Sequence, residues 1–270
     1  MKKKYFLYFS LAIIAILFLV PIYVLLVTSF KGFEEVTIKN MWNLPKTLYL
    51  GNYISAFDYL RTNILNSLYL TIVATAISAM LGSWNGYILS KWKFPGANIL
   101  FSLILFGMFI PYQSILIPLV NFLRFIGLYG SIPGLILTHV IYGIPITTLI
   151  FRNYYAGVPN ELLEAGKIDG AGIFEIYRYV LFPISIPAFV VVIVWQFTSI
   201  WNEFLFALVV THNPKIQPAT VALANLAGSY FAEWNVQMAG ALFISIPPLL
   251  VYIFLGRYFI RGLLAGSVKG

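Results

Sequence analysis

Long apolar runs alternate with short polar segments along the chain, and few polar residues enter the runs. A helix needs about 20 mostly apolar residues to cross the hydrocarbon core of a bilayer. Six runs qualify, at about residues 5–29, 64–89, 99–120, 133–150, 182–210 and 236–255. The two-residue alternation of outer-membrane barrel strands is absent, and the runs are too long for such strands. The pattern predicts an all-α integral membrane fold of six transmembrane helices. It forms a single domain over residues 1–270, with a polar loop at 152–181 and a tail at 256–270. In the second run, Ala74, Ser78, Gly82 and Gly86 recur every four residues. Such a stripe of small residues lets a neighbouring helix approach closely.

Composition sharpens this picture. Sixty per cent of residues are hydrophobic and only 10% are charged, against about 25% charged in ordinary soluble domains. That excludes a cytosolic enzyme, a nucleic-acid-binding domain and a disordered linker. There is no cysteine, so disulfides and thiolate metal sites are excluded. His139 and His212 are the only histidines, too few for a structural zinc site. The net charge of +8 is, in a membrane chain, first a topology signal.

Lys2, Lys3 and Lys4 precede the first run as in a signal peptide, but the run exceeds the roughly 7–15 residues of a signal core. No Ala-x-Ala site follows it, so an uncleaved first helix is expected. With the N-terminus inside, the inner side holds eleven of the 17 basic residues: Lys2, Lys3, Lys4, Lys91, Lys93, Arg152, Lys167, Arg178, Arg257, Arg261 and Lys269. The outer side holds the other six, at 31, 39, 46, 61, 124 and 215. This bias favours both termini in the cytoplasm, as an even number of spans requires. The segment 31–63 is then a long outer loop.

The inner loop holds four of the nine acidic residues, Glu161, Glu164, Asp169 and Glu175. Its pattern predicts two short helices broken at glycines. Leu162, Leu163, Ala165 and Ile168 form an apolar stripe on the first; Ile173, Phe174, Ile176 and Tyr177 form one on the second. Gly170 and Gly172 supply freedom for the turn. An amphipathic loop lying on the bilayer fits the same pattern. Such helices are usually rich in Lys and Arg, however, whereas acidic residues outnumber basic ones in 159–175. A protein surface is the better partner.

The loop resembles the signature of permease subunits of binding-protein-dependent ABC importers: Glu-Ala-Ala, three residues, Gly, nine residues, then Ile-x-Leu-Pro. Here Glu164-Ala165-Gly166, Gly170 and Val180-Leu181-Phe182-Pro183 keep the spacing, with Gly166, Val180 and Phe182 as departures. Trp201-Asn202-Glu203-Phe204, Met238-Ala239-Gly240-Ala241 and the tail from Arg257 are similar to the carbohydrate branch of that family, near the second membrane subunit of maltose-type systems. The resemblance implies a type I importer permease fold in the cell membrane. It also implies two six-span permease subunits forming the pore, two ATP-binding subunits below, and an extracellular sugar-binding protein. ATP and Mg would be bound by the partner ATPase subunits, with no cofactor on this chain. The loop at 159–179 would dock into an ATPase subunit through Leu163, Glu164, Ala165, Gly166, Ile168, Asp169, Gly170 and Phe174, Glu164 being the acidic anchor. Gly262, Gly266 and Lys269 of the tail would reach the ATPase dimer.

No phosphate loop is present: the only Gly-Lys, Gly166-Lys167, lacks the glycine five residues upstream and the following Ser or Thr. Energy must then come from a partner. Polar residues inside spans usually face a cavity or a neighbouring helix. Gln113 and Ser114 lie between Pro111 and Pro118 in the third run; His139, Tyr142, Thr147 and Thr148 lie in the fourth. Gln196, Asn202 and Glu203 lie in the fifth. Gln113, Ser114, Gln196, Asn202 and Glu203 are candidate pathway residues, the alternative being helix-to-helix bonding. Trp84, Trp92 and most tyrosines fit packing or the interfacial belt better. Two other classes remain as alternatives. An ion-coupled secondary transporter would need its own coupling site, often with repeated halves; a membrane enzyme or assembly factor would need a catalytic constellation.

Overall fold

The structure is a computed structural model that describes residues 2–92, 94–228 and 233–267. The longer helices are α1 (Lys2–Ser29), α2 (Gly51–Lys91), α3 (Ala97–Phe106), α4 (Leu116–Phe125) and α5 (Ile132–Ala156). The polar loop carries α6 (Glu161–Ile168), α7 (Ile173–Glu175), a π-helical turn (Ile176–Leu181) and α8 (Phe182–Ile184). Then follow α9 (Ile186–Asn202), α10 (Leu205–Val210), α11 (Ala219–Ala227) and α12 (Trp234–Ser267).

Four of these, α1, α2, α5 and α12, are each long and apolar enough to cross a membrane. Two bent pairs bring the total to six if each pair is one span. The first pair bends by 91° between residues 109 and 112, at the Pro111 noted in the sequence. The second bends by 76° at Ser185, between Pro183 and Pro187. Proline removes a backbone donor and clashes with the preceding turn, which accounts for these two bends, whereas Pro21, Pro145, Pro247 and Pro248 lie inside continuous helices. The fifth run breaks again after Asn202, where Glu203 turns to an extended backbone.

The segment 31–63 is not loop throughout, because α2 begins at Gly51. At 41 residues α2 is about 60 Å long, twice the hydrocarbon thickness. Its first turns escape a hydropathy average because only one face is buried. Asn52, Ala56, Leu60 and Asn63, spaced by four, four and three residues, are all buried.

Contacts divide the chain into two units, Met1–Ile64 with Ala219–Ile246, and Leu65–Pro218 with Pro247–Gly270. In the first, Ala56, Val236 and Ala239 form a small core with Tyr53 and Phe243 packed against it. A polar node fixes the chain after α1. The Lys31 side chain is only 1% exposed and donates to the carbonyls of Asn40 (2.7 Å) and Met41 (3.4 Å). Burial holds its ammonium below the usual lysine pKa, against the opposing pull of Glu35. Asn52 donates to the carbonyls of Ser29 (2.9 Å) and Lys31 (2.8 Å), and Asn235 donates to the Asn52 amide oxygen (2.9 Å).

In the second unit the small-residue stripe does what its spacing predicts. A Cβ added to Gly82 would fall 2.8 Å from the Thr147 carbonyl carbon, and one on Gly86 would fall 2.7 Å from the Arg152 nitrogen. Helices α2 and α5 therefore touch backbone to backbone. Ser131 caps α5, its hydroxyl accepting from the Gly134 N–H at 3.1 Å, and Pro133 sits in the first turn where its missing donor is harmless.

Candidate functional site

Two features of the second unit bear on function: the polar loop and a half-open cavity. The loop is built from its own turn chemistry. Helix α6 ends on a Schellman motif, with Gly170 N–H donating to the Lys167 carbonyl (3.0 Å) and Ala171 N–H to that of Gly166 (2.9 Å). This requires a left-handed residue, and Gly170 has φ +81°. Gly172 is ordinary extended backbone at φ −77°, so only the first of the two glycines makes the turn. The helix runs unbroken through Gly166. A Cβ there would lie 3.3 Å from Ile176, so the departure from alanine fits a close approach.

An aromatic seat holds the loop against α2 and α5. Tyr87, Phe151, Tyr155, Leu163, Ile176, Tyr177 and Leu181 share one buried core, with Trp84 and Trp92 against it. Trp84 stacks on Phe174 at 4.8 Å, and Tyr87 stacks on Tyr177 at 5.7 Å. Tyr177 donates to the Ser83 hydroxyl (2.9 Å), which also bonds Tyr155 (2.7 Å). Tyr87 donates to the Ile173 carbonyl (3.1 Å), and Lys91 to the Val158 carbonyl and the Asn160 amide. The two tryptophans are thus packing residues, and what they pack is the loop.

The stripe expected on α6 divides. Leu163 is 5% exposed, inside the seat, whereas Ile168 is 85% exposed. Five residues on an α-helix place them about 140° apart, so they cannot share a face. Leu163 therefore anchors the loop to its own chain and is not a free contact residue. Glu164, Ala165 and Asp169 are exposed beside Ile168, and Phe174 is 70% exposed. Glu175 is also exposed, but its carboxylate bends back to accept from the Gly172 N–H at 2.6 Å and so caps α7. Gly262 and Gly266 lie on the last turns of α12, and Lys269 lies outside the described residues.

The cavity, about 480 Å³, is lined by side chains of α5, α9 and α10 and by Tyr112. His139, Tyr142 and Ile146 face it from α5; Trp195, Gln196, Ser199 and Asn202 face it from α9. These positions recur at three- and four-residue steps, the periodicity of one helix face. Gln196 is 4% exposed and lies against Gly143, where an added Cβ would collide with its amide.

Glu203 has a structural task as well: it accepts from the N–H groups of Phe206 (2.8 Å) and Ala207 (3.3 Å), capping α10. His139 stands 3.9 Å from its carboxylate. Asn202 donates to the Thr198 carbonyl (2.9 Å), and Trp201 is buried and stacked on Phe197.

Of the five pathway candidates, the cavity gathers Gln196, Asn202 and Glu203. Gln113 and Ser114 lie exposed in a 3-10 turn, where Ser114 bonds the Pro111 carbonyl (2.6 Å), and their neighbour Tyr112 lines the cavity instead. Trp195 and Phe206 line the cavity as well, outside the five sequence candidates. The i, i+4, i+7 spacing of Trp195, Ser199 and Asn202 was the available signal.

Comparison with known proteins agrees with this architecture. The family model described as the inner membrane component of binding-protein-dependent transport systems matches residues 82–264. A probable ABC transporter permease protein of Pyrococcus horikoshii is 57% identical over 171 residues, 63% of this chain and 62% of that relative, so the match spans less than two thirds of its length. The glucose import system permease protein GlcU of Saccharolobus solfataricus is 33% identical over 97% of this chain and 95% of its own. The fold is shared with a chain of the crystal structure of a bacterial ABC transporter involved in import of the acidic polysaccharide alginate, with a TM-score of 0.80, 22% identity and coverage of 93% and 94%. With most of its length matched by the family model, this chain belongs to the inner membrane components of binding-protein-dependent transport systems.

Proposed function

We propose that the chain forms half of the translocation pore of an ATP-driven importer of neutral mono- or oligosaccharides, with glucose-type sugars the first to test. The observation that carries this reading is the loop at 159–179: a rigidly seated two-helix element that presents acid and exposed apolar groups together. Ile168 and Phe174 supply apolar surface, and Glu164 and Asp169 supply charge for a basic groove. A lever must be stiff at its root and complementary at its tip, and the aromatic seat meets the first need. Both termini lie in the cytoplasm, and the loop docks there on an ATPase subunit that binds ATP and Mg. A second six-span permease completes the pore, an external binding protein delivers the sugar, and the tail near Gly262, Gly266 and Lys269 reaches the ATPase dimer.

The cavity supports a neutral polyhydroxylated cargo. Aromatic rings of Trp195 and Tyr142 offer faces for sugar C–H groups, and the amides of Gln196 and Asn202 suit hydroxyls. The Glu203 oxygens are committed to the backbone N–H groups of α10, so the amides, hydroxyls and rings around it are the groups best placed to meet a cargo.

The chain has no native cysteine, so Ile168→Cys is a unique label. In the assembled transporter it should crosslink to the ATPase subunit, and in right-side-out vesicles it should resist impermeant reagents. Labelling from outside, or sugar uptake by vesicles containing this chain alone, refutes the reading.

A further inference from the structure

Where α2 ends and α3 begins, the second unit holds another cleft, of about 500 Å³, lined by Leu89, Ser90, Trp92, Phe94, Asn98 and Arg152 among others. Its charge is not neutralised. Among the described residues no carboxylate pairs with Arg152, which donates only to the Leu89 carbonyl (3.4 Å) and the Asn98 amide oxygen (3.2 Å). The guanidinium is fixed in place over the Phe101 ring, 3.9 Å from its centroid. The Ser90 hydroxyl is buried and makes no hydrogen bond. An unmade buried bond is costly, and a cation with spare donors beside it asks for an oxyanion. A planar guanidinium fork matches phosphate geometry.

The cleft continues into a second groove of about 370 Å³, formed by Asn98, Ile99, Ser102, Leu103 and Phe106. Asn98 belongs to both. Ile99, Leu103 and Phe106 are exposed at successive turns of α3 and make an apolar track about 10 Å long. A free phosphate has no use for such a track. A turn between two spans also lies at the level of lipid headgroups, where each basic residue attracts anionic lipid by about a fivefold factor.

We propose that this paired cleft and groove bind one anionic phospholipid. Arg152, Ser90 and Asn98 hold its phosphate, and an acyl chain lies along Ile99, Leu103 and Phe106. This site is separate from the cavity and from the loop's exposed face, and it does not depend on which sugar is carried.

The test uses the complete transporter, stripped of lipid in detergent and titrated with phosphatidylglycerol or phosphatidylcholine of identical chains, read by native mass spectrometry. Phosphatidylglycerol should bind this subunit at least fivefold tighter. Arg152→Gln should abolish that preference and Arg152→Lys should retain most of it. Leu103→Gln, at an exposed position, should weaken both lipids alike. Millimolar inorganic phosphate should not compete. Equal binding of the two lipids by the wild type overturns the proposal, as does a preference that survives Arg152→Gln. Displacement by phosphate makes the ligand a free anion and overturns it too. So does a Leu103→Cys crosslink to another subunit, which makes the groove a protein interface. Should Arg152→Gln fail to assemble, unchanged lipid affinity in Leu103→Gln is decisive against the site.

Discussion

Leu163→Ala tests the loop's root without touching its exposed face. Leu163 is the one residue of α6 buried against the rest of the chain. Truncating a buried leucine to alanine removes about 2–5 kcal/mol. A helix of eight residues cannot make this up, because isolated helices shorter than about 12–15 residues are marginal in water. At about 1.4 kcal/mol per factor of ten, even the low end raises local opening roughly 30-fold. The seat itself survives, since Tyr87, Tyr155, Ile176 and Tyr177 keep their contacts. Hydrogen exchange on the assembled transporter should therefore show protection lost across residues 162–170 and kept across α5. ATP-driven uptake should fall in step. Leu163→Met, which conserves volume, should cost under about 1.5 kcal/mol and restore most protection. Unchanged exchange across 162–170 in an assembled Leu163→Ala transporter would refute the claim that this side chain holds the lever.

Gly170→Ala isolates backbone strain, because nothing lies within 4 Å of an added Cβ. At φ +81° it should destabilise the loop by about 1–2 kcal/mol and lower uptake, with Gly170→Asn milder; equal exchange rates in all three proteins would exclude the turn argument. Gly86→Leu forces a side chain against the Arg152 backbone, so the melting temperature should fall by the equivalent of about 1–3 kcal/mol or more, and an unchanged melt would contradict the contact. Asn52→Leu strips donors from the Ser29 and Lys31 carbonyls and should destabilise the first unit by about 1–3 kcal/mol, seen as faster exchange around residues 29–31. Glu203→Ala removes the α10 cap and should cost about 0.5–2 kcal/mol, whereas Glu203→Gln keeps an acceptor and should cost less; equal melts for the two would argue against capping.

Much of this protein was legible in the order of its residues. Apolar runs fix the solvent as lipid, because nothing else can accept so much hydrocarbon. Prolines at 111, 183 and 187 mark where helices bend, because proline's effect is local. The four-residue repeat from Ala74 to Gly86 forecasts a close helix approach on that face of α2, and Gly170 forecasts the turn, since each depends on a few neighbouring residues; that the approaching helix is α5 comes from the structure.

Tertiary structure alone decided which side of each amphipathic piece faces inward. A stripe containing both Leu163 and Ile168 reads as apolar, yet the seat formed by Tyr87 and Tyr177 takes one and leaves the other outside. The same holds for Gln113 and Gln196, both polar residues within apolar runs. One lies exposed in a turn and the other faces a cavity made with α5, whose lining residues His139 to Ile146 stand 57 to 50 positions earlier in the chain. Local chemistry sets where helices start, bend and stop; the assignment of faces depends on long-range packing, which no short window of sequence contains.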